Sequence, residues 1–259
     1  MLAWTLFVYI FSICSLCALI SALAAWQKKK KTALSFSILA ILVLLAFLFF
    51  LWHSLARPPM RTLGETRLWY ALFLLLAGVL TYIRWEYKWI LSYTSLMSIV
   101  FLTINLCKPE LHDATLMPAL QSVWFAPHVG VYMFAYALAG ASFILALYGL
   151  LSHKQDPKLL KSADNLVYIA LAFLNIGMIF GAVWGKAAWG HFWNWDAKET
   201  WALLTCLLYS FYIHYRLQYP TNKKIAYIVL IIAFIALQIC WYGVKYLPAA
   251  GGSLHLYGG

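Results

Sequence analysis

Eight apolar stretches, at roughly 2–26, 33–52, 68–84, 88–106, 128–151, 165–184, 201–219 and 225–247, divide this chain and leave little choice of fold. A hydrocarbon core of roughly 30 Å is crossed by about 20 apolar residues of helix. Each stretch is long enough for that, the third at the short limit. The chain is 64% hydrophobic and 10% charged, with mean hydropathy +0.80, more apolar surface than a water-soluble domain of 259 residues can hide. The connections between stretches are short, which favours one compact bundle. The expected fold is all-α: a polytopic membrane helical bundle of about eight transmembrane helices, forming a single domain over 1–259. The first stretch follows no basic region and lacks a small-residue cleavage pattern, so it reads as a retained helix.

The net charge of +11 would suit a nucleic-acid partner, but its distribution argues against one. Lys28 to Lys31, Arg84 and Lys88, Lys154, Lys158 and Lys161, and Arg216, Lys223 and Lys224 all fall in alternate connections and make up twelve of the nineteen basic residues. By the positive-inside rule those connections are cytoplasmic. Both termini are then outside, with the loops 53–67, 107–127 and 185–200 and the tail 248–259. The expected location is the inner (cytoplasmic) membrane, with no nucleic-acid partner.

Residues 184–201 read WGKAAWGHFWNWDAKETW. Trp184, Trp189, Trp193, Trp195 and Trp201 fall within it, with His191 and Phe192 among them and Asp196, Lys198 and Glu199 following. An interfacial aromatic belt needs one or two Trp per helix end, as Trp26, Trp52, Trp69, Trp85, Trp89 and Trp124 illustrate. Five in one external loop, tied to a carboxylate and a Lys-Glu pair, suit a cover for a flat apolar ligand.

The histidines sort by position. His153 lies among cytoplasmic charges, His112 in the longest outer loop, and His53 at an outer helix end, all ordinary settings. His128 opens the fifth stretch after Pro127, a residue suited to a first helical turn, and this fixes an imidazole at the outer surface. His255 stands in a Gly-flanked tail that reaches about 26 Å beyond Leu247, at roughly 3.3 Å per residue. Two imidazoles from separate segments flanking a Trp sheet form the donor set of a six-coordinate haem; ordinary interfacial histidines meet the same description, and spacing leaves both open. His214 lies within the seventh stretch, where an ionisable residue is a functional candidate. His191 is given a lining role.

The five cysteines do not make a disulfide scaffold. Cys14, Cys17, Cys206 and Cys240 lie within apolar stretches, and Cys107 is alone at a helix end. Cys14 and Cys17 have CxxC spacing but no neighbouring charge to activate a thiol. The chain contains no CxxCH, so it is not itself a c-type cytochrome.

Trp189-Gly190-x-x-Trp193-x-Trp195-Asp196-x-Lys198-Glu199-Thr200-Trp201 resembles the tryptophan-rich "WWD" signature of haem-handling proteins, and its Lys-Glu-Thr-Trp continuation resembles the CcsA (ResC) family of cytochrome c biogenesis. The segment from Trp124 with His128, Tyr132 and Tyr136, the run from Glu199 to Arg216 with His214, and Leu254-His255-Leu256-Tyr257-Gly258 are similar to that family's histidine motifs, in the same order. Arg61 to Arg67 aligns more weakly. Ala197 stands where the family usually has Pro.

The resemblance implies transport of haem b to the outer face and its presentation there for thioether attachment to an apocytochrome c CxxCH. His128 and His255 would be the external axial ligands of the iron and His214 a transmembrane ligand. Trp184, Trp189, His191, Phe192, Trp193 and Trp195, with Asp196, would line the haem, and Lys186, Lys198, Arg57 and Arg61 would offer counter-charge to its propionates. Asp196 is expected to tie the loop together rather than touch iron. The implied partners are a ResB/CcsB-type membrane subunit, the apocytochrome and, indirectly, a thioredoxin-like thiol reductant. The competing function is a haem exporter or chaperone of the CcmC type without synthase activity.

Overall fold

The computed structural model describes residues 2–60, 62–112, 118–151 and 157–248. After a short turn at Leu2–Thr5, eight helices follow: α1 (Phe7–Trp26), α2 (Lys30–Leu55), α3 (Leu63–Trp85), α4 (Lys88–Cys107), α5 (Phe125–Leu151), α6 (Pro157–Trp189), α7 (Ala197–Gln218) and α8 (Lys223–Gln238). The described residues contain no strand. Within a bilayer the backbone must satisfy its own polar groups, and the α-helix does so within each segment.

Seven helical segments are long and apolar enough to cross a membrane. The exception, α7, has the length at 22 residues, but Lys198, Glu199, His214 and Arg216 lower its hydropathy. The chain is therefore a multi-pass membrane protein, and each expected stretch coincides with one helix. The helices overrun the apolar stretches because polar residues cap them. Thr62 and Asp196 each form a capping box with the Glu three residues on, Glu65 and Glu199. These boxes start α3 and α7 before their apolar residues begin.

The chain divides into two compact units, 1–121 and 122–259. In the first, α1 packs on α2 and α4, and α3 packs on α4 and α2, so the four helices close a ring in chain order. The second repeats this cyclic order with α5, α6, α7 and α8. Lipid tails are as apolar as the helix faces, so such rings are held by close packing rather than by expulsion of water. Ala33 and Ala40 in the first unit, and Ala135, Ala139, Ala163 and Ala170 in the second, are 0% exposed. Small residues at the contacts let the backbones approach. α8 does not end cleanly: a π-helical turn at Ile239–Gly243 and a 3-10 turn at Val244–Tyr246 follow it.

Candidate functional site

The tryptophan-rich segment lies in the second unit, and only its centre is a loop. α6 runs without a break to Trp189, the connector occupies 190–196, and α7 starts at Ala197. Trp184, expected at the edge of an external loop, is instead a helical residue 2% exposed. Apolar Ala187 and Ala188 allow the helix to continue past the window in which hydropathy falls.

Trp184 packs directly on His128, with ring centroids 5.4 Å apart, and on Trp189 at 4.7 Å and Phe125 at 5.4 Å. His128, on α5, is half-buried and bonds through Nδ1 to the Gly177 carbonyl on α6 at 2.8 Å. A carbonyl only accepts, so Nδ1 carries the proton, and in the neutral ring the lone pair then lies on Nε2, the tautomer a metal ligand needs. Gly181 makes room for this ring: a Cβ there would lie 2.7 Å from His128 Cε1 and 2.9 Å from Nδ1. One turn away, a Cβ at Gly177 would press on the Tyr132 ring at 3.1 Å. Gly177, Gly181 and Gly185, four residues apart, thus form a groove for the imidazole, its neighbouring phenol and the returning connector.

Aromatic contacts continue from His128 along α5. Tyr132 meets it edge-on at 4.8 Å, Tyr136 follows at 5.6 Å, and Trp241 in the π-helical turn lies 5.3 Å from Tyr136.

The connector is built to display rings. Phe192 is 58% exposed and Trp195 68%. Lys186 donates to the Gly190 carbonyl at 2.8 Å, and its ammonium sits 5.6 Å from the Phe192 ring centre. Trp193 stands 5.7 Å from Trp195, nearly perpendicular to it, and its indole Nε1 is buried with no acceptor among the described residues. Trp195 has φ +57°. Among the described residues three other non-glycine residues share that sign, Lys28, Ala56 and Glu86, and each follows a helix end, where left-handed caps are ordinary. Trp195 instead precedes a helix, and a bulky residue so placed costs about 1–2 kcal/mol.

Asp196 and Glu199 hold the connector onto α7. Asp196 Oδ1 accepts from the Glu199 amide at 2.8 Å, and Glu199 Oε2 accepts from the amides of Asn194 at 2.8 Å and Asp196 at 3.3 Å. Both carboxylates therefore tie the loop together. Ala197 occupies the first position of α7. Burial lowers the Lys198 ammonium below its ordinary pKa, with Asp196 among the groups opposing the shift. His191 is exposed.

His214 is exposed on α7 and bonds through Nδ1 to the Ser210 carbonyl at 2.8 Å, which by the same reasoning protonates Nδ1. Two residues to either side, Tyr212 and Arg216 converge on Asp164 of α6. Tyr212 donates to Oδ1 at 2.6 Å, and Arg216 Nε and Nη2 reach Oδ1 and Oδ2 at 3.0 and 3.1 Å. Neither this cluster nor the glycine groove belongs to a sequence motif; their only signals in the sequence are an acid beside an apolar stretch and three glycines at four-residue spacing. In the first unit Arg57 forms a bidentate pair with Glu65, both contacts 2.9 Å. Arg61 and His255 lie outside the described residues. Among those residues no group of three or more His, Cys, Asp and Glu could hold a metal.

The second unit thus brings together an inter-helix connector with exposed aromatics and an oriented imidazole. The chain belongs to the cytochrome c assembly protein family, whose profile matches residues 60–250. It is 36% identical over 200 residues to the cytochrome c biogenesis protein CcsA of Guillardia theta, covering 65% of each chain. It is 35% identical over 175 residues to CcsA of Chlamydomonas reinhardtii, covering 63% of this chain and 49% of that one. With CcsA of Marchantia polymorpha the match is 29% over 261 residues, 80% of this chain and 81% of the other. The chain thus spans about half to two thirds of the first two relatives. In fold it is similar to the cytochrome c haem lyase CcmF, with TM-score 0.67 and 18% identity over 96% of this chain and 50% of that one.

Proposed function

We propose that this protein brings haem b across the cytoplasmic membrane and presents it at the outer face for attachment to an apocytochrome c. The observation that carries the reading is the Nδ1-protonated His128, seated in the glycine groove under Trp184 on the same helix that ends in the tryptophan-rich connector. The donor set fits the ligand. Exposed Phe192 and Trp195 offer flat apolar contact, and the buried indole N–H of Trp193 requires an acceptor, which a propionate supplies.

In this reading His128 and His255 would be the ligands of the iron at the outer face, and His214 would be a separate station toward the other leaflet. Trp189, Trp193, Trp195 and Phe192 cover the macrocycle, with His191 at its edge. Trp184 acts from behind, fixing the His128 ring. Asp196 and Glu199 keep the connector on α7. Lys198 would be a counter-charge for the propionates, whereas Arg57, in the first unit, has its fork engaged by Glu65. The substrate haem supplies vinyl groups, across which the two Cys S–H bonds of CxxCH add, sulfur to one carbon and proton to the other. The chain supplies no nucleophile; it contributes position and iron ligation. A ResB-type subunit and the apocytochrome are the partners, and a thiol reductant keeps the acceptor cysteines reduced.

Co-expression with a ResB-type subunit and a CxxCH acceptor tests this. Covalent haem on the acceptor, lost with His128→Ala and partly restored by imidazole, is expected. Tightly bound haem with no covalent product would instead indicate a chaperone of the CcmC type, and a protein that binds no haem would overturn both readings.

A further inference from the structure

At one end of the first unit, the connection 27–29 between α1 and α2 and the connection 86–87 between α3 and α4 are joined side by side. Trp26 Nε1 donates to Ser92 Oγ at 2.9 Å, the Lys88 ammonium sits 4.3 Å from the Trp26 ring centre, and Lys30 pairs with Glu86. Trp85, Tyr87 and Trp89 stack in succession at 5.9 and 6.3 Å, with the Arg84 guanidinium 5.7 Å from the Trp85 ring.

Six cations therefore share this end, Lys28, Lys29, Lys30, Lys31, Arg84 and Lys88, against the single acid Glu86. Lys28 to Lys31 are all exposed. Lys30 and Lys88 are used to hold the two connections together, whereas Lys28, Lys29 and Lys31 have no acidic partner among the described residues. α2 starts here without a side-chain cap, and Lys30 and Lys31 stand in its first turn, where the helix dipole disfavours cations. The arrangement is unfavourable alone and is relieved by an anion.

The identity of that anion follows from position. α1 to α4 are membrane-spanning, so their ends lie at the bilayer surface, and Trp26, Trp85 and Trp89 mark the headgroup level. Lipid phosphate is the anion present at that depth.

We propose that this face binds the phosphates of anionic phospholipid headgroups, with Lys28, Lys29 and Lys31 supplying the charge and the Trp26–Lys88 and Lys30–Glu86 contacts preforming the surface. Each lysine near an anionic surface strengthens such binding about fivefold.

The test uses the full chain in nanodiscs of phosphatidylcholine with and without phosphatidylglycerol. Retained phosphatidylglycerol is counted by native mass spectrometry, and lysine acetylation is mapped. Acidic lipid is expected to protect Lys28, Lys29 and Lys31, and a K28Q/K29Q/K31Q variant to lose the retained lipid while unfolding at the same temperature in pure phosphatidylcholine. A K108Q variant, changed at the opposite end of α4, serves as the control and keeps both signals. Equal retention by the triple variant, equal loss in the control, or protection in phosphatidylcholine alone overturns the proposal.

Discussion

His128 Nδ1 lies 2.8 Å from the carbonyl oxygen of Gly177, and the ring it belongs to occupies the space that Gly181 leaves empty. The imidazole is thus oriented by the backbone of α6, the helix that continues to Trp189. A methyl at Gly181 would meet the ring at 2.7 Å, closer than Cβ atoms come to other groups, whereas one at Gly177 would meet Tyr132 at 3.1 Å. Gly181→Ala should therefore displace His128 and cost about 1–3 kcal/mol by overpacking, with Gly177→Ala the milder change. The absorption spectrum of haem-loaded protein checks this. A shift away from the low-spin form is expected in Gly181→Ala at temperatures where circular dichroism still reports a full helix content, and an unaltered spectrum would count against the role given to His128.

Trp195 separates backbone strain from ring function. Its φ of +57° is comfortable for Gly and strained for Trp. Trp195→Gly should raise stability or leave it level, because about 1 kcal/mol of strain is relieved while little packing is lost from a ring 68% exposed. Assembly of c-type cytochrome should fall in the same variant. Melting temperature and haem-stained acceptor, measured together, decide it: a variant that is destabilised and fully active would remove the reason for keeping Trp there.

Hydropathy made seven of the helices legible, because a bilayer requires long apolar segments and admits few other solutions, while α7 was read from a shorter apolar run between its charged ends. Helix limits were less legible. Trp184 fell at the end of an apolar window, yet small apolar residues carried α6 on to Trp189, turning an expected loop residue into a buried wall behind His128. The local role of Asp196 could be read, since an Asp followed three residues later by Glu is a helix start whatever the fold. What stayed hidden depends on two helices at once. The pairing of Asp164 with Tyr212 and Arg216 spans 48 and 52 residues of sequence, and the use of Gly181 becomes apparent only when α5 is laid against it.

Ala197 stands where the resemblance to the tryptophan-rich signature leads one to expect Pro, and the geometry accepts either. It is the first residue of α7, where a missing N–H breaks no intrahelical bond. Asp196 before it has φ −67° and ψ 168°, the extended conformation that a following Pro imposes. Ala197→Pro should be neutral or stabilising by about 0.4–1 kcal/mol, whereas Asp196→Ala, which removes the cap, should cost about 0.5–2 kcal/mol. Thermal unfolding in detergent distinguishes these signs, and a destabilised Ala197→Pro would show that the connector is not held as described.

Asp164 accepts three hydrogen bonds from α7, two of them from a guanidinium whose side chain is 12% exposed against 15% for its own. Asp164→Asn keeps the volume but leaves Arg216 without its countercharge in a poorly hydrated site, a loss of about 3 kcal/mol. Arg216 also donates to the Pro220 carbonyl at 2.7 Å, so the α7–α8 turn should loosen with it. Because Tyr212 and Arg216 flank His214 on the same helix, the rotation of α7 and the direction of the imidazole are set by this one carboxylate. Hydrogen exchange checks the prediction: Asp164→Asn should speed exchange in the second half of α7 and at 219–222 while leaving the connector 190–196 unchanged. Faster exchange at the connector alone, with 210–218 protected as before, would show that Asp164 does not anchor this helix.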